Sequence, residues 1–403
     1  MKRLLFLSHR LPYPPDKGER VRAYHELVNL SRRFRVTLAS GVHDEVEESF
    51  LTELGRLCEA VLIERPRFRR LRSVGSLITG RSATEGYFAC PRLSRRLAEA
   101  HECRPFDVIF AYCSSTFPVA QNLKGVPVVM DFVDIDSEKW RGFGRCSWGA
   151  KRWLYKLEAK RVHTLEIQAI DYCRHVFCVS SQEAQNSPHG LRVQGLRNGV
   201  DLEYFRPTTP SVAGRRIIFT GTMDYRPNVS AVCWFAHNVW GRLRTVVPGV
   251  TFDIVGRNPH RKVLALRQIN GINVTGAVSD IRPLIASADV AVAPMLMGRG
   301  VQNKILEAMA MAKPVVATPL ALEGINASAG VEVLTAQEPE EWVERIAMLM
   351  RDVMIRRRVG LRARLWVERN CRWWSCLDEL VATCIRAAEG DQGIDTPVVE
   401  DDA

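Results

Sequence analysis

Ala291–Pro319 reads AVAPMLMGRGVQNKILEAMAMAKPVVATP. An apolar run ends at Pro294, and a loop with Gly298 and Gly300 follows. A helical pattern starts near Gln302 and runs through Ala310, and Pro314 opens a second apolar run, Val315–Ala317. Strand, glycine loop, helix and strand in this order form the repeating unit of a parallel sheet. Two glycines ahead of a helix let the backbone approach a ligand closely. The free amides and positive dipole end of the helix favour phosphate. Lys304, in the first turn, adds a charge-assisted contact. Glu307 lies about a turn further on, where a carboxylate accepts hydrogen bonds from ribose hydroxyls. The competing reading is a plain surface loop with a solvated Lys and Glu.

The same alternation extends outward in both directions. Leu4–Ser8, Val36–Ser40, Val61–Ile63, Val108–Tyr112, Val126–Met130 and Val176–Ser180 read as strands buried on both faces. Helical patterns such as 18–32 and 150–171 lie between them, as a parallel sheet wrapped by helices requires. After Pro207–Gly214 (PTTPSVAG), a turn-rich break, the pattern restarts. Its strands are Arg216–Thr220, Thr251–Val255, Ile272–Val274, Val290–Ala293 and Val315–Ala317. Its helices are 228–246, 303–311 and 340–350. The chain reads as α/β, with two doubly wound domains. In such sheets ligands bind beyond the carboxyl ends of the strands.

Bulk properties agree. A chain of 403 residues suits two domains of roughly 180 residues each. With 46% apolar and 25% charged residues it is globular, not disordered. The net charge of +11 favours phosphate-bearing partners. No helix-turn-helix, zinc finger or aromatic RNA-binding motif is recognisable, which argues against nucleic acid. Eleven cysteines without a CxxC pair read as buried thiols in a reducing compartment. A metal site from Cys173, His175 and Cys178 is the alternative, at an unusual spacing. The apolar run after Met1 is short and meets Pro12, Pro14 and Pro15, so it reads as a first strand, not a signal peptide. No apolar stretch reaches the roughly 18 residues of a membrane span. The expected location is cytoplasmic, with contact at the inner face of the membrane allowed for.

Taken together, several stretches resemble glycosyltransferase family 4, whose members have the GT-B fold. Beside 291–319, these are RNGVDLEYFRP (197–207), FTGTMDYRPN (219–228), FDIVGRN (252–258), TGAVSDIRPL (275–284) and the N-terminal HRLPYPPDKGERVR. The likeness covers most of the chain and is greatest to bacterial sugar transferases that accompany exopolysaccharide and PEP-CTERM export systems. It implies two Rossmann-like domains facing across a cleft: an acceptor domain at 1–207 and a nucleotide-sugar domain at 208–375. A C-terminal helix at 376–390 would return to the N-domain, with a disordered tail at 391–403. It also implies a retaining transfer from a nucleotide-diphosphate sugar to a glycan or lipid-linked acceptor, with no essential metal or cofactor. Gly221, Arg226, Gly256, Arg257, Arg299, Gly300, Val301, Gln302, Lys304 and Glu307 become the donor site, and Gly18, in the acceptor-side glycine loop, permits close approach to donor phosphate or acceptor.

Three departures stand out. The family commonly has two glutamates eight positions apart; Glu307 matches the second, but Arg299 occupies the first. After the first C-domain strand, where relatives place an Arg and a Lys, Arg226 is the one cation. It contacts phosphate or merely opens the helix near Pro227. The N-domain stretch VVMDFVDIDSEKW (128–140) lacks the histidine of many relatives but offers Asp131, Asp134 and Asp136. Asp134 and Asp136 are candidates to orient a sugar hydroxyl or assist proton transfer. A metal is the alternative for this pair, and capping the next helix is the alternative for Asp136.

Lys17, Glu19, Arg20 and Arg22 flank Gly18, and His9 and Arg10 end the first strand, where either contacts an acceptor or serves the fold. RPRFRRLR (65–72) and SVGSLITG (73–80) mix arginines with Phe68, Leu71 and Leu77, as an interfacial segment or else a solvated loop. The arginines at 351–364 precede Trp366, Trp373 and Trp374, which read as packing. Other functions weighed are a nucleotide-sugar epimerase of related fold and an inactive GT-B scaffold or binding protein.

Overall fold

The structure, a computed structural model, describes residues 1–15, 18–42, 50–145, 147–185, 187, 192–208, 214–297 and 301–390. The chain divides into two compact units: residues 1–196 with 377–403, and 197–376. Lys17, Gly298, Arg299, Gly300, most of the 207–214 break and the 391–403 tail lie outside the described residues.

The first unit runs β1 (Arg3–Ser8), α1 (Gly18–Ser31), β2 (Arg35–Gly41), α2 (Leu51–Leu57), β3 (Ala60–Glu64), α3 (Arg69–Ile78), α4 (Ala83–Phe88), α5 (Pro91–Cys103), β4 (Val108–Tyr112), α6 (Phe117–Ala120), β5 (Val128–Asp131), α7 (Asp136–Arg145), α8 (Gly149–Tyr172), β6 (His175–Cys178), α9 (Ser181–Gln185) and β7 (Val193–Gly195). Its strands form one parallel sheet in the order β3-β2-β1-β4-β5-β6-β7. The second unit runs β8 (Arg216–Thr220), α10 (Arg226–Asn238), α11 (Trp240–Val246), β9 (Thr251–Val255), α12 (Arg261–Ala265), β10 (Ile272–Gly276), α13 (Arg282–Ser287), β11 (Val290–Ala293), α14 (Asn303–Ala310), β12 (Val315–Ala317), β13 (Leu334–Thr335), α15 (Pro339–Arg351), α16 (Val353–Asn370) and α17 (Trp373–Cys376). Its parallel sheet is ordered β10-β9-β8-β11-β12-β13. The central strands are apolar throughout because helices cover both faces: β4 and β11 are buried at every residue.

Helix α18 (Asp378–Glu389) belongs to the first unit, where Leu380, Thr383, Cys384 and Ala387 are buried. The second unit begins at Arg197, ahead of the expected break after residue 207. The reason is local. The Val200 amide donates to Cys371 O at 2.7 Å, and the Arg364 guanidinium donates to Phe205 O at 2.8 Å. Those bonds tie 197–207 to α16 and α17. The single helix expected at 228–246 is two, α10 and α11, joined at Val239, which seats Trp240 in the core with its indole N–H on Asn270 O at 3.1 Å. Of the C-terminal tryptophans, Trp373 is buried and Trp374 exposed.

Cys173 and Cys178 are buried, and burial pushes both thiols up to about 12, so they are protonated packing groups. Among the described residues no cluster of three or more metal-type side chains occurs, and no helix is long and apolar enough to cross a membrane.

Candidate functional site

Two glycines end neighbouring strands of the second unit. Gly221 (φ +152) follows β8 and Gly256 (φ +154) follows β9. A Cβ on Gly256 would lie 1.7 Å from Gly221 O. One on Gly221 would lie 2.7 Å from Asn228 Nδ2 and 3.4 Å from Lys304 Cε. Glycine at both positions therefore lets Asn228 and Lys304 close in on the sheet's carboxyl end.

Lys304 is in the first turn of α14, behind the cap residue Gln302. The Gln302 side chain makes no cap bond; its Oε1 accepts from Lys304 Nζ at 2.9 Å. Asn228 Oδ1 accepts from the same ammonium at 3.1 Å, while Asn228 Nδ2 donates to Thr222 O at 3.0 Å and so fixes the amide's orientation. The ammonium also lies 5.1 Å from the Phe219 ring centroid. Its two bonded partners are neutral amides, and no ion pair forms to it among the described residues. An ammonium has three donors, so one remains for an anion.

Lys304 and Glu307 are half-buried to solvent yet closely surrounded by protein atoms. Burial brings the Lys304 ammonium down to about 8, opposed by the Glu307 charge. Burial raises the Glu307 carboxyl to about 7, opposed by Lys304. Each holds its charge weakly, and an arriving anion would strengthen the charge on Lys304.

Val301, ahead of α14, is half-buried against the core. Arg257 is half-buried after β9, and its carbonyl accepts from the Met223 amide at 2.9 Å. Arg226 opens α10 and is exposed. Asn228 was not singled out from sequence. An asparagine three residues into a helical pattern carries no local signal, and the approach of α14 brings its Oδ1 the Lys304 ammonium.

In the first unit, Asp134 and Asp136 follow β5. Val133 has φ +66, a conformation that β-branched residues avoid. Four acceptors hold the loop there. Asp131 Oδ1 takes the Val133 amide (2.7 Å), Val133 O takes the Val179 amide (2.7 Å), Glu183 Oε1 takes the Ile135 amide (3.0 Å) and Glu166 Oε1 takes the Ser137 amide (3.0 Å). Asp134 is thereby set half-buried, and burial lifts its carboxyl to about 7, only partly offset by Lys139. Asp136 begins α7, accepts from Ser114 Oγ at 3.3 Å and lies 3.8 Å from Lys139 Nζ.

The acidic strand end is compensated from within. Arg22 is fully buried; its Nε donates to Asp131 Oδ2 at 2.6 Å, its NH1 donates to Leu196 O at 2.9 Å, and Glu26 Oε1 is 3.0 Å away. Burial opposes the guanidinium charge, but Asp131 and Glu26 outweigh it and hold Arg22 above its usual range. Burial and Asp131 drive Glu26 well above the carboxylate range despite Arg22. Arg22 thus serves the fold; Arg20 is also buried, and Gly18, near both, is exposed at the start of α1. His9 is half-buried, its ring 4.9 Å from that of Phe88.

Comparison with known proteins follows the division into units. The pattern of the family described as "Glycosyl transferases group 1" matches residues 214–352, within the second unit. No curated protein matches the sequence. Anabaena HepE, solved with UDP and glucose, is similar at 16% identity and TM-score 0.67, over 95% of this chain and 99% of that one. Sucrose-phosphate synthase from Thermosynechococcus elongatus is similar at 13% identity and TM-score 0.68, over 97% and 100%. WaaG, a glycosyltransferase involved in lipopolysaccharide biosynthesis, is similar at 13% identity and TM-score 0.64, over 94% and 99%. The chain thus has the GT-B fold, and residues 214–352 of its second unit match the Glycosyl transferases group 1 pattern.

Proposed function

We propose that the protein is a retaining glycosyltransferase of family 4 that moves a hexose from a nucleotide-diphosphate sugar to a glycan or lipid-linked acceptor in cell-surface or exopolysaccharide synthesis. The observation that carries this reading is Lys304: a closely packed ammonium at a helix start, oriented by two neutral amides and, among the described residues, in no ion pair with a carboxylate. The match to Glycosyl transferases group 1 over the same unit and the UDP complex of Anabaena HepE agree with a diphosphate ligand.

In this reading Lys304, Arg226 and the amides that open α14 hold the diphosphate, and Glu307 holds the ribose. The acceptor hydroxyl attacks the anomeric carbon from the face that the diphosphate leaves. The sugar–phosphate bond breaks with its electron pair remaining on the diphosphate, where preset donors stabilise the charge and the departing oxygen takes up the acceptor's hydroxyl proton. Asp134, with its carboxyl near 7, orients a sugar hydroxyl or exchanges a proton close to neutrality. Asp136, already engaged by Ser114, has the lesser role. The reading assigns no metal or cofactor and places the reaction on the cytoplasmic side of the membrane.

A thermal-shift screen of UDP-, GDP-, ADP- and CMP-sugars tests it. One class should raise the melting temperature of the parent and much less that of Lys304→Ala. A screen in which none binds removes the proposal.

A further inference from the structure

Helix α3 turns its apolar side outward. Leu71, Val74 and Ile78 recur at i, i+3 and i+7 and form one stripe. Leu71 is 70% and Ile78 81% exposed, and Phe68, just before the helix, is 72% exposed. The opposite side of α3 packs on α4. A Cβ on Gly86 would lie 2.4 Å from Arg72 O and from Ser76 Oγ. Arg72 donates to Ala89 O at 2.8 Å, and Arg69 lies over the Tyr87 ring. The polar side therefore faces the protein and the apolar side faces out, the reverse of a helix that serves a core.

The segment also gives up local stability. Arg69 and Arg70 stand at the positive end of the helix dipole, with no acidic residue in the first turn and no side-chain cap. Phe68 has φ +55, rare for a bulky residue. Together these features fit a surface shaped for something outside the chain.

Charge identifies the occupant. The sequence has no Asp or Glu from Arg65 to Thr84, a stretch holding Arg65, Arg67, Arg69, Arg70, Arg72 and Arg81. A second acid-free stretch, 145–157, exposes Trp148 and Trp153 beside Lys151 and Arg152. The two stretches meet at one corner. Glu158 of α8 accepts from the Ala83 and Thr84 amides at 2.7 and 2.8 Å, and Arg161 donates to Leu77 O at 2.8 Å. Leu154 and Lys151 lie one and two turns before Glu158 on that face of α8.

We infer that α3 and the start of α8 form a docking surface for an anionic lipid bilayer. The stripe and the tryptophans enter the boundary between headgroups and acyl chains, and the exposed Arg67, Arg70, Lys151 and Arg152 meet headgroup phosphates. Leu77, which the sequence put in this surface, is half-buried and does not contribute. The inference goes beyond the transfer reaction and does not depend on it.

Co-sedimentation of the full chain with phosphatidylcholine vesicles, with and without phosphatidylglycerol, tests it with no sugar donor present. Binding should require phosphatidylglycerol, weaken with salt and blue-shift tryptophan emission. Leu71→Glu with Ile78→Glu should lower binding by about tenfold or more without changing the melting temperature, since both side chains are exposed. Arg67→Glu with Arg70→Glu should lower it at low salt. Three results would overturn the inference: no vesicle binding, equal binding to neutral vesicles, or binding indifferent to Leu71→Glu with Ile78→Glu. A concentration-dependent dimer that Leu71→Glu breaks, without vesicle binding, would assign the stripe to a second copy instead.

Discussion

Each parallel sheet brings one closely packed cation to its carboxyl ends, and the two cations are partnered differently. Arg22 in the first unit meets Asp131 and Glu26, with nothing left over for a ligand. Lys304 in the second meets the amide oxygens of Asn228 and Gln302. A carboxylate cancels a cation and makes it part of the framework; an amide oxygen orients it and leaves the charge in place. The same sheet order thus supports a locked charge in one unit and an available one in the other, and partner chemistry makes the difference.

Arg22→Ala should produce the largest effect. It strands Asp131 in the interior and should cost about 3–5 kcal/mol in urea denaturation. Arg22→Met with Asp131→Asn should recover part of that loss. A single variant as stable as the parent would break the contrast on the structural side. Lys304→Ala should lower kcat/KM for the donor about 100-fold, as loss of a preset donor at a charged transition state does. Its stability should fall by no more than about 1 kcal/mol. A large loss of stability with normal turnover would invert the assignment.

A smaller effect concerns pH. Lys304 loses its proton as pH rises through about 8, and Glu307 gains one as pH falls through about 7. Donor kcat/KM should therefore peak between these values and fall on both sides, with apparent constants that belong to the pair. Lys304→Arg keeps its charge above pH 8, so it should flatten the alkaline limb and leave the acid limb unchanged. The smallest effect is that of Asn228→Ala, which removes one of the two amide oxygens that orient Lys304, along with the bond to Thr222 O, and should weaken donor binding about fivefold by calorimetry.

Much of the architecture was legible in the sequence because central strands of a covered parallel sheet must be apolar on both faces. Val108–Tyr112, Arg216–Thr220, Thr251–Val255, Val290–Ala293 and Val315–Ala317 occur where the apolar runs placed them. The edge strands β7 and β13 were not read; they are short and lack such a run. The joint at Val239 also went unread, since the helical pattern continues across it and only the packing of Trp240 explains the turn. At the candidate site, Lys304 and Glu307 were readable from their spacing after the glycine loop. Asn228 was not, because its partner is distant in sequence. Arg22 gave the opposite difficulty: an arginine near a glycine loop resembles a ligand group, and only its pairing with Asp131 shows that it is internal.

Helix α18 packs in the first unit, against β4 and β5. During synthesis, then, the half made first is finished last. The contiguous span 197–376 can complete its own sheet on the ribosome while the amino-terminal sheet still waits for Leu380 and Cys384 to cover it. A polypeptide lacking residues 378–389 would leave the patch under Leu380 and Cys384 open to water.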